Sequence, residues 1–417
     1  MKLFGGVIPI TGISFLMFSI LLIAVVGYAF GRINVKGVSL GTAGVFVMAL
    51  VYGCILYKVL DAQLLSTVGE ETVSYTKNAL KIVENLGLIF FVTSVGFIAG
   101  PKFFVNMKVN FKSYVLLGLI IILAGGLAAV ACILVGRATG EPDSERLTAM
   151  VVGLLSGSLT STPAFSAAKA TVAAEYEDIV SVGHGIAYIF GVIGVVLFVQ
   201  LVPKITKADM DEERKKIQIV DDGSSIKKVR TDLIKLDSFS FLPIMFAGAA
   251  GIFVGAIKVP LSAQGLSGTT FSLTTTGGCL LVALLMGHFG HIGRLNIMPR
   301  ESTLKVFREL GLMLFLIGAG VAGGASFAAN FQFIYFVYGV FMTIVPMIVG
   351  YIFAKKVLKL SLLNNLGSIT GGMTSTPALG TLINVAETED VASAYAATYP
   401  IALIAVVLVS QFLIILF

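Results

Sequence analysis

Charge is scarce in this chain. Only 12% of its 417 residues are Asp, Glu, Lys or Arg, and a single extended hydrophilic segment, about Lys204 to Asp237, interrupts its apolar runs. Soluble domains carry about 25% charged residues, so a soluble fold is excluded and a bilayer is the expected solvent. Cysteine is scarce too. Cys54, Cys132 and Cys279 all lie inside apolar segments, which excludes a disulfide framework or a Cys-rich metal site and leaves them as packing residues. There are three histidines. His184 reads as a polar packing residue or a substrate contact; its counterpart later in the chain is Thr398 or a neighbour. His288 and His291 have i,i+3 spacing but no Cys or carboxylate companion, so no metal is expected. Carboxylates are lacking within the apolar runs: Glu177, Asp178, Glu389 and Asp390 sit at span entrances. That weighs against a proton or cation antiporter, which needs a buried acid to carry its ion. The net charge of +6 resides in loops between spans, so no nucleic-acid partner is expected.

What the chain does have is itself, twice. LGLIFFVTSVGFIAGPKF from Leu86 matches LGLMLFLIGAGVAGGASF from Leu310, GSLTSTPAF from Gly157 matches GGMTSTPAL from Gly371, and YIFGVIGVVLFVQ from Tyr188 matches YPIALIAVVLVSQ from Tyr399. The order is the same in both halves, so residues 1–203 and 238–417 read as repeats joined by a linker over 204–237. Gly27, Gly31, Ile33 and Val35 recur as Gly251, Gly255, Ile257 and Val259. The first apolar segment therefore reads as a retained span rather than a signal peptide.

Six apolar segments fall in each half: 14–31, 38–57, 86–101, 113–136, 147–171 and 180–202, then 239–257, 270–287, 310–324, 331–353, 362–386 and 391–417. Loop charge sets their orientation. In the first half the positive loops are the first (Arg32, Lys36) and third (Lys102, Lys108, Lys112); in the second they are the second (Arg294 to Glu309) and fourth (Lys355, Lys356, Lys359). The bias has opposite phase, so the repeats are expected to be inverted, with these loops and the linker cytoplasmic and the N-terminus outside. Parity then requires one segment per half that does not span. Segments 147–171 and 362–386, rich in Gly, Ser, Thr and Pro, are the candidates, as re-entrant hairpins or broken helices. The expected fold is all-α and integral to the membrane, with five transmembrane helices plus one such segment in each repeat.

Non-helical backbone at membrane depth survives only where it lines a cavity. Pro163 and Pro377 remove a donor and disfavour helix at Thr162 and Thr376. Gly157, Gly371 and Gly372 permit a turn and close ligand approach. Ser156, Ser158, Thr160 and Ser161 supply hydroxyls in the first segment; Thr370, Thr374 and Ser375 supply them in the second. Exposed helix N-termini favour anions, so a carboxylate held by two hairpin tips is the natural occupant. Tyr188 and Tyr399 open the last span of each half, as interfacial anchors or as substrate contacts. An intramembrane enzyme with Ser158 or Ser161 as nucleophile and His184 as base is the competing class, weakened because the second half repeats the Ser without a His.

The doubled pattern LGL…G…AG…F followed by TSTPA resembles the aspartate:alanine exchanger (YidE/YbjL duplication) family. The resemblance implies an elevator-type transporter with a dimerising scaffold in the inner membrane, embedded in lipid; no cofactor is expected, and a coupling sodium ion or proton is left open. It implies exchange or ion-coupled transport of small anionic or zwitterionic substrates such as aspartate, alanine or a dicarboxylate. One departure stands out: those exchangers carry soluble regulatory domains in a long central loop, whereas this linker has about 34 residues, so the substrate does not carry over from the resemblance.

Overall fold

A computed structural model describes every residue except 1, 4–7, 34–40, 69–70, 110, 142, 218–232, 261–269 and 389, and describes backbone alone at 2–3, 8–9, 43, 66–68, 71–72, 102–109, 111, 235, 270 and 376–377. Lys36, Val35, Glu389, part of the linker and the side chains of Lys102, Lys108, Thr376 and Pro377 thus lie outside the described residues.

Apolar chain in a bilayer must bond its own amides, and this chain does so as helix. The first half contains α1 (Gly12–Gly31), α2 (Ala43–Asp61), α3 (Thr76–Val109), α4 (Leu116–Ala138), α5 (Ser144–Ser158), α6 (Thr162–Thr171) and α7 (Glu177–Ile205). A short linker helix, α8 (Met210–Lys215), follows. Then come α9 (Phe241–Gly255), α10 (Thr274–Phe289), α11 (Glu301–Asn330), α12 (Phe333–Lys356), α13 (Leu362–Gly372), α14 (Thr376–Ala386) and α15 (Val391–Leu416). The order before α8 recurs after it.

Eight helices among the described residues, α1, α2, α3, α4, α7, α11, α12 and α15, are long and apolar enough to cross a membrane. This is a multi-pass membrane protein. Sequence pattern called for ten spans, but α9 and α10 have 15 and 16 residues. At 1.5 Å per residue they rise only about 22–24 Å, short of a hydrocarbon core of about 30 Å. The residues that could have extended α10 form a strand instead, Thr270–Ser272 pairing antiparallel with Lys258–Pro260. At its start α9 is fixed by Asp237, which accepts the amides of Phe239 (2.8 Å), Phe241 (3.0 Å) and Leu242 (2.9 Å). Against the upward push of partial burial, these amides hold the Asp237 carboxyl below its ordinary range.

The path through α5, α6 and α7 is a hairpin followed by a span. Asp143, the N-cap of α5, accepts the hydroxyl of Tyr176, the N-cap of α7, at 3.0 Å. Further along, Gly153 abuts Val180 and Gly157 abuts His184 and Tyr188. Residue numbers rise together in the two helices, so α5 and α7 are parallel and α6 must carry the chain back. The second half does the same, with Gly367 against Val391 and Gly371 against Tyr395. Since Gly157 and Gly371 correspond, Tyr395 is the counterpart of His184, three residues before Thr398.

At the centre α3 and α11 cross. A Cβ on Gly87 would fall 2.4 Å from Phe315 N and 2.6 Å from Gly311 O; one on Gly311 would fall 2.4 Å from Phe91 N and 2.6 Å from Gly87 O. Gly318 meets Leu80 and Glu84, so the two helices run antiparallel. Helices in lipid gain little from burying apolar surface against each other, and glycine lets two backbones approach closely enough for dispersion to hold them. Outer faces keep exposed apolar side chains such as Leu21, Val25, Leu127, Phe253 and Phe333, as lipid contact requires.

Candidate functional site

Both hairpins turn by the same device. In the first, Thr160 N bonds Gly157 O (2.9 Å) and Ser161 N bonds Ser156 O (2.8 Å); in the second, Thr374 N bonds Gly371 O (3.0 Å) and Ser375 N bonds Thr370 O (2.9 Å). This pairing ends a helix with one residue in the left-handed region, a place glycine normally takes. Here it is a β-branched threonine each time, Thr160 at φ 51° and Thr374 at φ 50°. Such a conformation costs on the order of 1–3 kcal/mol and persists only where surrounding contacts require it.

The contacts are reciprocal. Thr160 Oγ1 donates to Met373 O of the opposite tip (3.1 Å), and Thr374 Oγ1 donates to Leu159 O (2.7 Å). Glycine would turn the chain without strain but could not reach the carbonyl left free beside the other turn. These two hydroxyls, named in sequence as substrate contacts, donate to one another's tips.

Most of the other motif hydroxyls are committed to protein as well. Ser156 Oγ bonds Gly153 O (2.7 Å) and His184 Nδ1 (2.8 Å), Ser158 Oγ donates to Gly339 O in α12 (2.9 Å), and Thr370 Oγ1 donates to Gly367 O (2.7 Å). Ser161 Oγ caps α6 by accepting from Ala164 N at 3.3 Å. Its counterpart Ser375 makes no such cap: its Oγ is buried and unbonded among the described residues, and α14 begins without a side-chain cap. Gly157, Gly371 and Gly372 lie in tight helix contacts, Gly372 against Ile121 of α4. His184 is fully buried and stacked on Phe165 with ring centres 4.1 Å apart. Its bonded hydroxyl belongs to Ser156, so no Ser–His pair of the kind a hydrolase needs forms at Ser158 or Ser161.

Beside the tips lies a cavity of about 650 Å³, within the range of metabolite sites, about 300–1,000 Å³. From the sequence-derived set it is lined by Thr160, Thr162, Pro163, Thr374, Tyr188 and Tyr399. Ser156, Gly157, Ser158, Ser161, Thr370, Gly371, Gly372 and Ser375 stand behind this layer. The wall also includes Gly41 and Thr42 before α2, Phe91, Val95, Ile98 and Ala99 of α3, Leu312 and Leu316 of α11, and Tyr395, Ala396 and Pro400 of α15. Two charged residues also line it, Arg308 and Glu309. Sequence pattern counted both as loop charges, because α11 starts at Glu301, well before the apolar segment expected from 310.

A second miss lies on the other side of the hairpins. Lys169 of α6 and Glu84 of α3 form an ion pair at 2.9 Å with side chains only 4% and 9% exposed. The spans therefore do hold a buried acid. Nearby, Lys77 pairs with Asp178 at 3.4 Å and Lys81 pairs with Glu177.

Comparison with known proteins agrees with this architecture. A family model described as a predicted permease membrane region, that of the aspartate-alanine exchangers, matches residues 19–204 and 243–415. A Bacteroides thetaiotaomicron protein described as an uncharacterized transporter is 25% identical over 550 aligned positions, covering 94% of this chain and 97% of the relative. One from Bacteroides fragilis is 26% identical with the same coverage. A Desulfotalea psychrophila transporter, also uncharacterized, is 35% identical over 195 residues, 46% of this chain and 35% of its own. Alignments of 550 positions exceed the 417 residues here, so the Bacteroides relatives hold inserted sequence that this chain lacks. With both membrane halves matched to one model, the chain belongs to the aspartate-alanine exchanger family of membrane permeases.

Proposed function

We propose that this protein is a secondary carrier of small carboxylates or amino acids, working by alternating access between two inverted repeats. The observation that carries the reading is the reciprocal bonding of the hairpin tips at the base of a cavity. A two-fold axis in the membrane plane that exchanges Thr160 with Thr374 and Leu159 with Met373 accounts for it. The antiparallel crossing of the matched helices α3 and α11 supports the same axis. In transporters of this design, substrate binds near the midplane where discontinuous helices end. The N-terminus of α14, which no side chain caps, is open to an anion there, whereas α6 is already capped by Ser161.

Packing is unequal on the two sides of that axis. α7 lies along α11, with Ser181 against Gly323, and Thr276 of α10 bonds Ser166 of α6 at 3.1 Å. The corresponding pair, α15 and α3, barely touch, and the cavity fills the gap between them. One face is shut and the other open, as a carrier caught in one half of its cycle should be. With the positive loops inside, the open face is cytoplasmic and the membrane is the cell's inner membrane. The hairpin-bearing units move elevator-fashion against a dimeric scaffold.

The test is transport by the purified chain in liposomes loaded with unlabelled aspartate, alanine, glutamate or succinate. Uptake of the labelled compound that requires internal substrate establishes exchange, and uptake driven by a sodium or proton gradient establishes symport. Failure with every carboxylate overturns the reading. Single cysteines at Thr139 and Lys356, labelled from the outside and the inside respectively, check the orientation.

A further inference from the structure

Arg308 and Glu84 occupy the same place in the two repeats, each two residues before the matched Leu-Gly-Leu at 310 and 86. Their surroundings differ. Glu84 is neutralised by Lys169 from the hairpin of its own half. The residue matching Lys169, which is seven after Thr162, is Ile383, seven after Thr376. The second hairpin thus brings no charge to meet Arg308, which lines the open cavity instead. One terminal nitrogen of Arg308 bonds Glu309 Oε1 at 3.1 Å, and Glu309 Oε2 accepts the hydroxyl of Thr42 at 3.1 Å.

The Arg308 side chain is 40% exposed, open to the cavity rather than buried in protein, and its level on α11 sets it below the mouth. Gly311 packs on Phe91 N, and Arg308 is three residues from it, about 4.5 Å along the helix. Because α3 and α11 are antiparallel, that places Arg308 level with Ser94 and its neighbour Val95 rather than with Ile98 and Ala99 nearer the mouth. A guanidinium there presents several donors in a plane, the geometry that takes a carboxylate through two parallel bonds.

From this we infer that Arg308 is the ionic contact for the carboxylate of the transported ligand, which takes the place that a hairpin side chain fills beside Glu84. Glu309 holds Arg308 in the ligand's absence and yields it when an anion enters. The inference rests on the carrier reading, since it assigns a residue to that carrier's cargo. It adds a contact absent from the serine and threonine motif.

The test is isothermal titration of the purified full-length protein with succinate, aspartate and the uncharged succinamide. The wild type should bind at least one carboxylate and bind succinamide more weakly. Arg308→Gln should weaken carboxylate binding by about tenfold to a hundredfold, the worth of a charge-assisted hydrogen bond, while leaving succinamide unchanged. Arg308→Lys keeps the charge but loses the planar fork, and should fall between the two; it carries the test if the glutamine variant does not fold. Glu309→Gln should bind a dicarboxylate as tightly as wild type or more so. Carboxylate binding undiminished in both Arg308 variants, or lost equally in Glu309→Gln, overturns the role of Arg308 and leaves the carrier reading intact. A wild type that binds no carboxylate overturns both.

Discussion

Lys169 Nζ lies 2.9 Å from one carboxylate oxygen of Glu84 and 3.0 Å from the other, in a pair almost wholly shut off from solvent. With Lys77–Asp178 and Lys81–Glu177 it ties the first turns of α3 to the hairpin and to α7 on the closed face. Removing one partner strands a buried charge, so Lys169→Met should lower stability by about 3–5 kcal/mol. Glu84→Leu combined with Lys169→Met removes the desolvation cost together with the attraction, and should unfold no earlier than wild type. Thermal unfolding of the two variants checks this, and a double variant as unstable as the single one would sink it.

The same pair marks the limit of what could be read from sequence. The multi-pass helical character and the break in the helix at each Thr-Ser-Thr-Pro string were legible, since apolar runs and a repeated string are properties of the chain itself. Glu84 and Arg308 were not. A charge in the first turns of a long helix looks like a loop charge until the helix is seen to start at Thr76 or Glu301. The partner of Glu84 is 85 positions away, on a hairpin. Likewise a Thr-Ser-Thr-Pro string says that hydroxyls are present, but their targets are carbonyls freed by a left-handed turn in the other half. The shortness of α9 and α10 was hidden because a strand pair can use the same apolar residues as a helix.

If Thr160 and Thr374 are kept for their reach to the opposite tip, serine should serve and valine should not. Thr160→Ser retains the donor and should transport close to wild type. Thr160→Val leaves Met373 O without its partner and keeps a β-branched residue in a left-handed turn, which should cost about 1–3 kcal/mol. Uptake per folded molecule should fall further than expression does. Thr374→Val should behave alike through Leu159 O. Equal activity of the serine and valine variants would show that the bond between tips has no part in transport.

The linker helix holds the second hairpin at both ends. Glu213 Oε2 accepts the amide of Leu362 at the start of α13 (3.1 Å), and Arg214 Nη1 donates to Ala386 O at the end of α14 (3.1 Å). Arg214 also pairs with Glu387 at 3.2 Å, but that contact is exposed and contributes little. Arg214→Ala should therefore leave overall stability within about 1 kcal/mol, the scale of one net hydrogen bond. Its effect should be local, with faster amide exchange at 383–387 than at the matched residues 169–173 of the first hairpin. Exchange unchanged at both ends would show that α8 merely rests on the hairpin.

On the proposed alternating-access reading, the unequal faces also say which residues should meet when the cavity closes. Ser181 of α7 touches Gly323 of α11 on the shut side. By the repeat correspondence, which matches Val180 with Val391 and Leu86 with Leu310, the equivalent pair is Ala392 of α15 and Ala99 of α3. Ala99 lines the cavity, and α15 and α3 are now nearly apart. Two cysteines can bond only when their Cα atoms come within about 7 Å. Cysteines at 99 and 392, with Cys54, Cys132 and Cys279 replaced, should cross-link slowly in the resting protein and faster when a bound ligand favours closure. Cross-linking should abolish uptake, and reduction should restore it. Rapid cross-linking regardless of ligand would mean that the faces do not alternate, and none under any condition would mean that the halves do not exchange their packing.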